Sequence, residues 1–189
     1  GALYGGTVTM LAVNLKKFGI ETTFVDPRKL DAVLVTHAHL DHTGRLPLLT
    51  RVDYSGPIYA TPATRDLCAI MLKDSGFIQE KDAEFLNKKR SQRGEEPIEP
   101  LYTAEDAEQA MTLFRSVPYE QEFGVVPNLV AKYSDAGHIL GSASIHLTFR
   151  KNGTVSTLGF TGDVGRRNMP IIRDPAFMGN VDALISEST

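Results

Sequence analysis

The sequence predicts an α/β fold, with one domain or one domain and an appendage in its 189 residues. Residues 32–35 (AVLV) form an unbroken apolar run, which is typical of a short strand buried on both faces. Capping signals and helical spacing of apolar residues occupy the middle of the chain. Residues 144–149 alternate between polar and apolar side chains, as in a half-buried strand. Along the sequence, predicted strands therefore precede and follow a helical central region.

The first long helix begins directly after a second predicted strand, residues 57–60 (PIYA). Thr61 is a good N-cap and Pro62 suits the first helical position, so a helix should start there. Gly76 is expected to end this helix, because glycine is common just beyond helix C-termini. The apolar stripe of the helix would consist of Leu67, Ile70 and Met71.

Two further helices and a loop are predicted before the chain returns to strands. Residues 78–90 are rich in charge and predict a second helix, and residues 91–100 predict a loop by composition. Thr103 should cap a third helix, because Asp106 three residues later completes a capping-box pattern. The apolar positions that follow are Ala107, Ala110, Met111 and Phe114.

A β-hairpin is predicted in the last third of the chain. Asn152 and Gly153 form the strongest turn signal in the sequence, and they should join the alternating strand to residues 154–160. Residues 181–185 predict a last apolar strand.

Three of the five histidines lie within six residues, in the stretch THAHLDH that follows the first predicted strand. His37 and His39 are two residues apart, so in an extended segment their side chains point the same way. Asp41 and His42 follow where the chain should turn into a helix, and zinc prefers imidazole nitrogen and carboxylate oxygen as ligands. Such a block can begin two adjacent metal sites, but distant residues must complete them.

Two later residues are placed to complete these sites. His138 lies in a glycine-flanked loop before a strand, and Asp163 lies between glycines directly after a strand. Ligand sites of α/β sheets gather at strand ends, so we expect both residues to converge with the first histidines. His146 lies in the middle of a strand and is expected to be an ordinary half-exposed side chain.

The stretches THAHLDHTGRLP, DAGHILGSAS and FTGDVGR resemble metal motifs of the metallo-β-lactamase superfamily. Together with PIYATPATRDL and the closing LISEST, they resemble its β-CASP branch, whose members process RNA or DNA. The resemblance covers residues 27–189 and implies an αββα sandwich. It is expected to be incomplete, because the β-CASP insert and the returning C-terminal segment of that family have no counterpart in this sequence.

The resemblance implies six zinc ligands, which are His37, His39, Asp41, His42, His138 and Asp163. In the family, the counterparts of His37, His39 and His138 bind one zinc ion. The counterparts of Asp41 and His42 bind a second, and the counterpart of Asp163 bridges the two. A further histidine that completes the second site is not found here, so that site is expected to be incomplete and to hold zinc less firmly.

Three acidic residues are expected to serve catalysis: Asp41, Asp163 and Glu187. Asp41 only accepts hydrogen bonds when it is ionised, so it could orient an attacking water as well as bind metal. Glu187 matches the first acidic position of the β-CASP family, which orients a histidine ligand from behind.

Candidates for substrate contacts lie near the later metal motifs. Arg166 and Arg167 follow Asp163 and are the candidates for phosphate contacts. Ser142 could donate to a phosphate oxygen or could be a plain loop serine, and the sequence leaves both open. The basic run at residues 88–93 is interpreted as a solvated helix face.

Residues 1–26 are expected to form an atypical and possibly foreign N-terminal segment. The stretches LYGGT and KFGIETTFVDP resemble the pyridoxal-phosphate enzymes of cysteine and methionine metabolism, in which the tyrosine matching Tyr4 stacks on the cofactor. The cofactor lysine of that family has no counterpart here. A chimeric origin and a chance similarity in a divergent terminal helix and strand both remain open. The segment has no histidine, so it should contribute little to a metal site.

The composition limits the classes of partner and compartment. The formal net charge of −3 argues against a generally basic nucleic-acid coat, although a local basic channel would fit. No apolar run is long enough to cross a bilayer, and no signal peptide is recognised. The single cysteine, Cys68, excludes an internal disulfide, fits a reducing cytoplasmic compartment and is expected to be a core residue.

The metal motifs and the resemblance to the β-CASP branch imply a zinc-dependent phosphodiester hydrolase of the β-CASP type, which acts on RNA, preferably single-stranded, by attack of a metal-bound hydroxide. The chain itself is expected to be a weak or inactive nuclease, because the second site is under-ligated. Two alternatives remain open: a different metallo-β-lactamase hydrolase acting on a thioester or lactone, and a non-catalytic fragment that binds metal. The sequence does not distinguish exonuclease from endonuclease and does not predict the oligomeric state.

Overall fold

The computed structural model describes residues 26–187 as two β-sheets with helices. The strands are β1 (Val33–Leu34), β2 (Ile58–Ala60), β3 (Phe114–Ser116), β4 (Glu122–Val126), β5 (Leu129–Asp135), β6 (Ala143–Lys151), β7 (Thr154–Phe160) and β8 (Ala183–Ile185). The α-helices are α1 (Leu40–Thr43), α2 (Pro62–Gln92) and α3 (Ala104–Met111), and 3-10 helices span Pro27–Lys29 and Leu46–Val52. The prediction of an atypical segment at residues 1–26 lies, except for Asp26, outside these residues and stays a prediction.

The first sheet is parallel, with strand order β1-β2-β3. One face packs against α2 and α3 around a core that includes Ile58, Cys68, Leu72 and Phe114. Parallel strands need crossover connections, and α2 with α3 forms the connection between β2 and β3. The predicted strands at residues 32–35 and 57–60 are confirmed with narrower bounds.

The second sheet has the order β4-β5-β6-β7-β8, with antiparallel pairs up to β7 and β8 parallel to β7. Its inner face shares a second core with the first sheet, to which Leu34 and Tyr59 contribute from the first sheet. Tyr133 joins the two sheets through its hydroxyl, which donates to the Tyr59 carbonyl oxygen at 2.9 Å. The order of layers is therefore helices, parallel sheet and mixed sheet, and the predicted α/β class is confirmed.

The structure corrects the predicted end of the first long helix. Helix α2 continues through Gly76 for 31 residues and absorbs the second predicted helix. Gly76 is buried, and a Cβ built on it would lie 2.7 Å from the carbonyl carbon of Thr103. The glycine therefore allows the close approach of the segment before α3 and does not act as a C-cap. Ile70 was also misplaced on the core stripe, because it is 69% exposed.

Local signals predicted several other elements correctly. The Thr61 hydroxyl accepts from the Thr64 amide as an N-cap, and Thr103 with Asp106 forms the predicted capping box. The hairpin of β6 and β7 turns at Asn152 and Gly153, both with positive φ. Phe114 belongs to β3 and not to α3.

Candidate metal centre

The candidate site lies where strands of both sheets end. Strands β5, β7 and β8 run in one direction, so the loops after Asp135, Phe160 and Ile185 meet at one edge of the second sheet. The end of β1 joins this edge because the Ala143 amide donates to the Thr36 carbonyl oxygen at 2.7 Å. This arrangement brings four separate segments of the chain to one place.

His37 stands at the centre of this edge and is fully buried. Its Nδ1 lies 3.1 Å from the Thr36 hydroxyl, while its Nε2 faces the other histidines. Burial is the largest cause that lowers the pKa of His37 to about 4, and the neighbouring His42 is the next. The imidazole is therefore neutral near pH 7, as a metal ligand must be.

The first group of side chains consists of His37, His39, His138 and Asp163. His39 Nδ1 lies 3.1 Å from His37 Nε2 and 3.2 Å from His138 Nε2. Asp163 Oδ2 lies 3.6 Å from His37 Nε2 and 3.4 Å from His138 Nε2. All four donor atoms fall within 4.8 Å of one another, which suits a small tetrahedral ion.

A second group lies on the other side of the Asp163 carboxylate. His42 Nε2 lies 3.5 Å from Asp163 Oδ1 and 3.4 Å from Asp41 Oδ2. Glu187 is exposed and joins His42 and Asp163 within the same 4.8 Å limit. Each oxygen of Asp163 therefore faces a different group, as a bridging carboxylate would.

The state of Asp163 fits a cation at this position. Its Oδ1 is buried and accepts no hydrogen bond within residues 26–187, although His42 Nε2 lies 3.5 Å away. A buried carboxylate oxygen without a partner is costly, and a divalent cation would satisfy it. The cluster of imidazoles and carboxylates thus indicates a divalent metal site.

The loop that carries His138 is held by hydroxyl groups. Ser142 Oγ accepts from the amides of His138 at 3.0 Å and Ile139 at 3.2 Å. Thr61 and Thr64, at the start of α2, both donate to the Gly141 carbonyl oxygen, at 2.6 and 2.8 Å. The N-terminus of α2 therefore fixes the position of a candidate ligand that lies far away in sequence.

Glycines allow the loop that carries Asp163 to approach the first histidine segment. Gly162 has a φ of 54°, and a Cβ built on it would lie 2.8 Å from the Thr36 Cβ. A side chain at this position would meet both backbone strain and a steric clash. Gly162 therefore permits the contact that sets Asp163 beside His37.

The candidate substrate-contact residues differ in their exposure to solvent. Ser142 is fully buried, so the structure places it out of reach of a substrate and favours its role in the loop. Arg166 and Arg167 are both exposed, and Arg166 Nε lies 3.0 Å from Met169 Sδ. A cavity of about 200 Å³ beside the metal groups is lined by His138, Thr161, Gly162, Asp163, Val164, Ser186 and Glu187. His146 is half-exposed in its strand and Cys68 is buried in the core, as predicted.

Sequence reasoning missed the residues that position the candidate ligands. Thr36, Thr61 and Thr64 contact the ligand segments through hydroxyl groups. Threonine is common in strands and caps, so the single sequence held no sign of these tasks. One signal was available in the sequence: Thr36 directly precedes His37, so its hydroxyl could be expected to lie near that imidazole.

Comparisons with known proteins agree with this geometry. The profile of the beta-lactamase superfamily domain matches residues 21–189. Ribonuclease TTHA0252 of Thermus thermophilus is 36% identical over 164 residues, which are 87% of this chain and 33% of that protein. Transcription termination factor FttA of Methanosarcina mazei is 35% identical over 165 residues, which are 85% of this chain and 23% of that protein. The chain thus spans about a third or less of the length of these relatives.

Among solved structures, a subclass B3 metallo-beta-lactamase of Bradyrhizobium japonicum superposes with a TM-score of 0.48 and 16% identity. The match covers 94% of this chain and 62% of that one. This TM-score is low, so the family assignment rests on the sequence comparisons. In the part of the chain that is described, no helix combines the length and apolar character needed to span a membrane.

Proposed function

This chain belongs to the metallo-β-lactamase superfamily, and on that premise we propose that it carries the metal centre of a zinc-dependent phosphodiester hydrolase acting on RNA. The observation that carries the proposal is the Asp163 carboxylate, whose two oxygens face two separate groups of candidate ligands. Two adjacent divalent sites of this kind suit the cleavage of a phosphodiester. The names of the relatives, a ribonuclease and a transcription termination factor, support RNA as the substrate.

The residue types favour zinc among the divalent ions. The first group offers three imidazole nitrogens and one carboxylate oxygen, a set that suits zinc better than magnesium or calcium, which prefer oxygen ligands. His37, His39 and His138 would hold the first ion, Asp41 and His42 the second, and Asp163 would bridge them. When bound, the two ions would supply hydroxide near neutral pH and offset the charge that builds up on the phosphate.

The side chains of the chain have separate tasks in this proposal. Asp41 is largely exposed on the side of the second group, so its free oxygen can accept a hydrogen bond from the attacking water and orient it. Glu187 lies beside His42 at the mouth of the site and would hold that imidazole in place. Arg166 and Arg167 would contact phosphates of the RNA strand near the Asp163 loop.

The test is an assay of the zinc-loaded chain on labelled single-stranded RNA, with a thioester and a lactone as parallel substrates. We expect slow cleavage of RNA by this chain. Residues 27–187 grafted in place of the matching third of the Thermus ribonuclease should cleave faster. Asp41→Ala in the graft should lower the rate at least about a hundredfold, and Asp82→Ala, which removes an exposed carboxylate from the middle of α2, should not.

Two results would contradict the proposal. One is a graft that is folded and loaded with zinc but leaves RNA intact. The other is a chain that opens the thioester or lactone while RNA stays uncut, since that pattern belongs to a different hydrolase of the superfamily.

A further inference from the structure

The solvent face of α2 carries a row of large, exposed apolar side chains. Ile70 is 69% exposed, Phe77 53%, Ile78 50% and Phe85 57%. The buried positions of the helix, 64, 68, 72, 76 and 83, lie on the opposite side. Scattered apolar residues are normal on a protein surface, but a contiguous row along one helix face marks an interaction site. We call these four residues the α2 stripe.

Two lysines lie across the α2 stripe without covering it. Lys81 Nζ lies 5.6 Å from the ring centroid of Phe77, and Lys89 Nζ lies 4.3 Å from that of Phe85. Both rings remain more than half exposed beneath them. The lysine side chains are flexible, so they can move aside to pair with a charge on an incoming surface.

Several charged residues along the α2 stripe form pairs of opposite charge that are equidistant from the midpoint between Phe77 and Ile78. Asp74 and Lys81 stand at equal distances from that midpoint along the sequence. Ile70 and Phe85 are likewise equidistant from it. Lys73 with Asp82 and Asp66 with Lys89 are further equidistant pairs of opposite charge, and Lys73 also pairs with Glu108 of α3. Arg65 and Arg90, at the outer ends of the helix, are equidistant partners of like charge, so the complementarity is confined to the region between Asp66 and Lys89.

This pattern has a specific geometric meaning. In an isologous pair, a residue contacts its symmetry partner on the other copy, and the reverse contact repeats it. Two antiparallel copies of α2 with a two-fold axis at the midpoint would set Asp74 against the partner's Lys81, and Ile70 against the partner's Phe85. We propose that the α2 stripe is the interface of a homodimer of this chain, formed by antiparallel packing of the two α2 helices.

The size of the α2 stripe sets the strength expected of this dimer. Ile70 and Phe85 are separated by about 22 Å along the helix, at 1.5 Å per residue. The footprint of one helix of that length is smaller than the roughly 800 Å² per partner of a standard stable interface. We therefore expect a dimer that dissociates at micromolar concentrations. The exposed charge pairs add little affinity, but they fix the antiparallel register.

Sedimentation equilibrium of the 189-residue chain, from low to several hundred micromolar, tests the proposal. The average mass should rise towards that of a dimer. Asp74→Lys and Lys81→Asp should each weaken association about tenfold, because each creates two like-charge contacts across the axis. The double variant Asp74→Lys/Lys81→Asp should associate as the original chain does. An equimolar mixture of the two single variants should also associate, because it pairs a doubly positive helix with a doubly negative one.

Two controls accompany these variants. Lys151→Asp makes the same charge change at the exposed end of β6 and should leave association unchanged. Phe85→Ser removes apolar contact from the α2 stripe and should reduce association, with circular dichroism to verify that the helix content is kept. A chain that stays monomeric throughout would overturn the proposal. So would single variants that associate like the original, or a folded double variant and mixture that fail to recover association.

Discussion

At the scale of single residues, Thr36 shows how a side chain outside the ligand set can tune the metal centre. Its hydroxyl lies 3.1 Å from His37 Nδ1, so it can accept a hydrogen bond from the Nδ1–H and leave Nε2 free for a metal. We predict that Thr36→Val, which keeps the shape and removes the hydroxyl, lowers zinc affinity about 10–100-fold. Isothermal titration with zinc measures this. Thr148→Val, at a half-buried strand position away from the site, is the matched control, and equal affinities in both variants would contradict the role of Thr36.

Cys68 offers a second test at the residue scale. Burial raises the pKa of its thiol to about 12, so at pH 8 the folded protein holds far less thiolate than an exposed cysteine. We predict that Cys68 reacts with a thiol reagent only at the rate of unfolding or local opening. The stability linked to this thiol is fully present below the unfolded pKa of about 8.5 and is lost as pH rises towards 12. Rapid labelling of the native protein at pH 8 would show that the thiol is accessible.

At the scale of elements, Gly76 is the position where two physical rules disagree. Helix propensity alone predicts that Gly76→Ala stabilises the protein by about 1 kcal/mol. The new Cβ would meet the Thr103 carbonyl carbon at 2.7 Å, so we predict destabilisation by about 1–3 kcal/mol. Urea unfolding followed by circular dichroism measures the change. Ser91→Ala, on the exposed last turn of the same helix, should be neutral or slightly stabilising, and a stabilised Gly76→Ala would mean that the segment before α3 moves away without cost.

The same element shows which features the sequence could predict. The Thr61 cap, the Thr103 capping box and the hairpin turn depend on residues only a few positions apart, and all three were predicted correctly. The glycine at position 76 is required by Thr103, which is distant in sequence, so it was mistaken for the end of the helix. Strands β3, β4 and β5 were not predicted, because they gain much of their structure from pairing with neighbouring strands.

At the scale of the whole molecule, the cluster of candidate ligands joins the two sheets. His37 and His39 follow the first sheet, whereas His138 and Asp163 follow strands of the second. The convergence was predictable because ligand sites gather at strand ends. The Thr61 and Thr64 hydroxyl groups that hold the His138 loop were not predictable, since they contact Gly141 across sequence separations of 80 and 77 residues. A bound ion therefore acts as a cross-link between the layers, and its free energy of binding adds to that of folding.

Removal of metal tests this cross-link. Zinc at about 100 times its dissociation constant should stabilise the chain by about 2.7 kcal/mol, and a chelator should remove that gain. The first group is more buried and offers more imidazoles than the second, so we predict nearer one than two retained zinc ions per chain after dialysis. Thermal unfolding with and without chelator, together with metal analysis, measures both quantities. Two firmly held ions, or a melting temperature indifferent to the chelator, would contradict this account.

The division of the candidate ligands between the two sheets also affects when, during translation, the chain can bind a metal ion. On the ribosome, the first histidines emerge well over a hundred residues before Asp163. At about 5–20 residues per second, this leaves an interval of roughly 6–25 seconds in which the nascent chain exposes an incomplete metal site. The early segment offers His37, His39, Asp41 and His42 without His138 or Asp163, so we expect firm zinc binding only after translation has delivered β7 and the loop after it. Acquisition of the ion then reports that synthesis has passed that point.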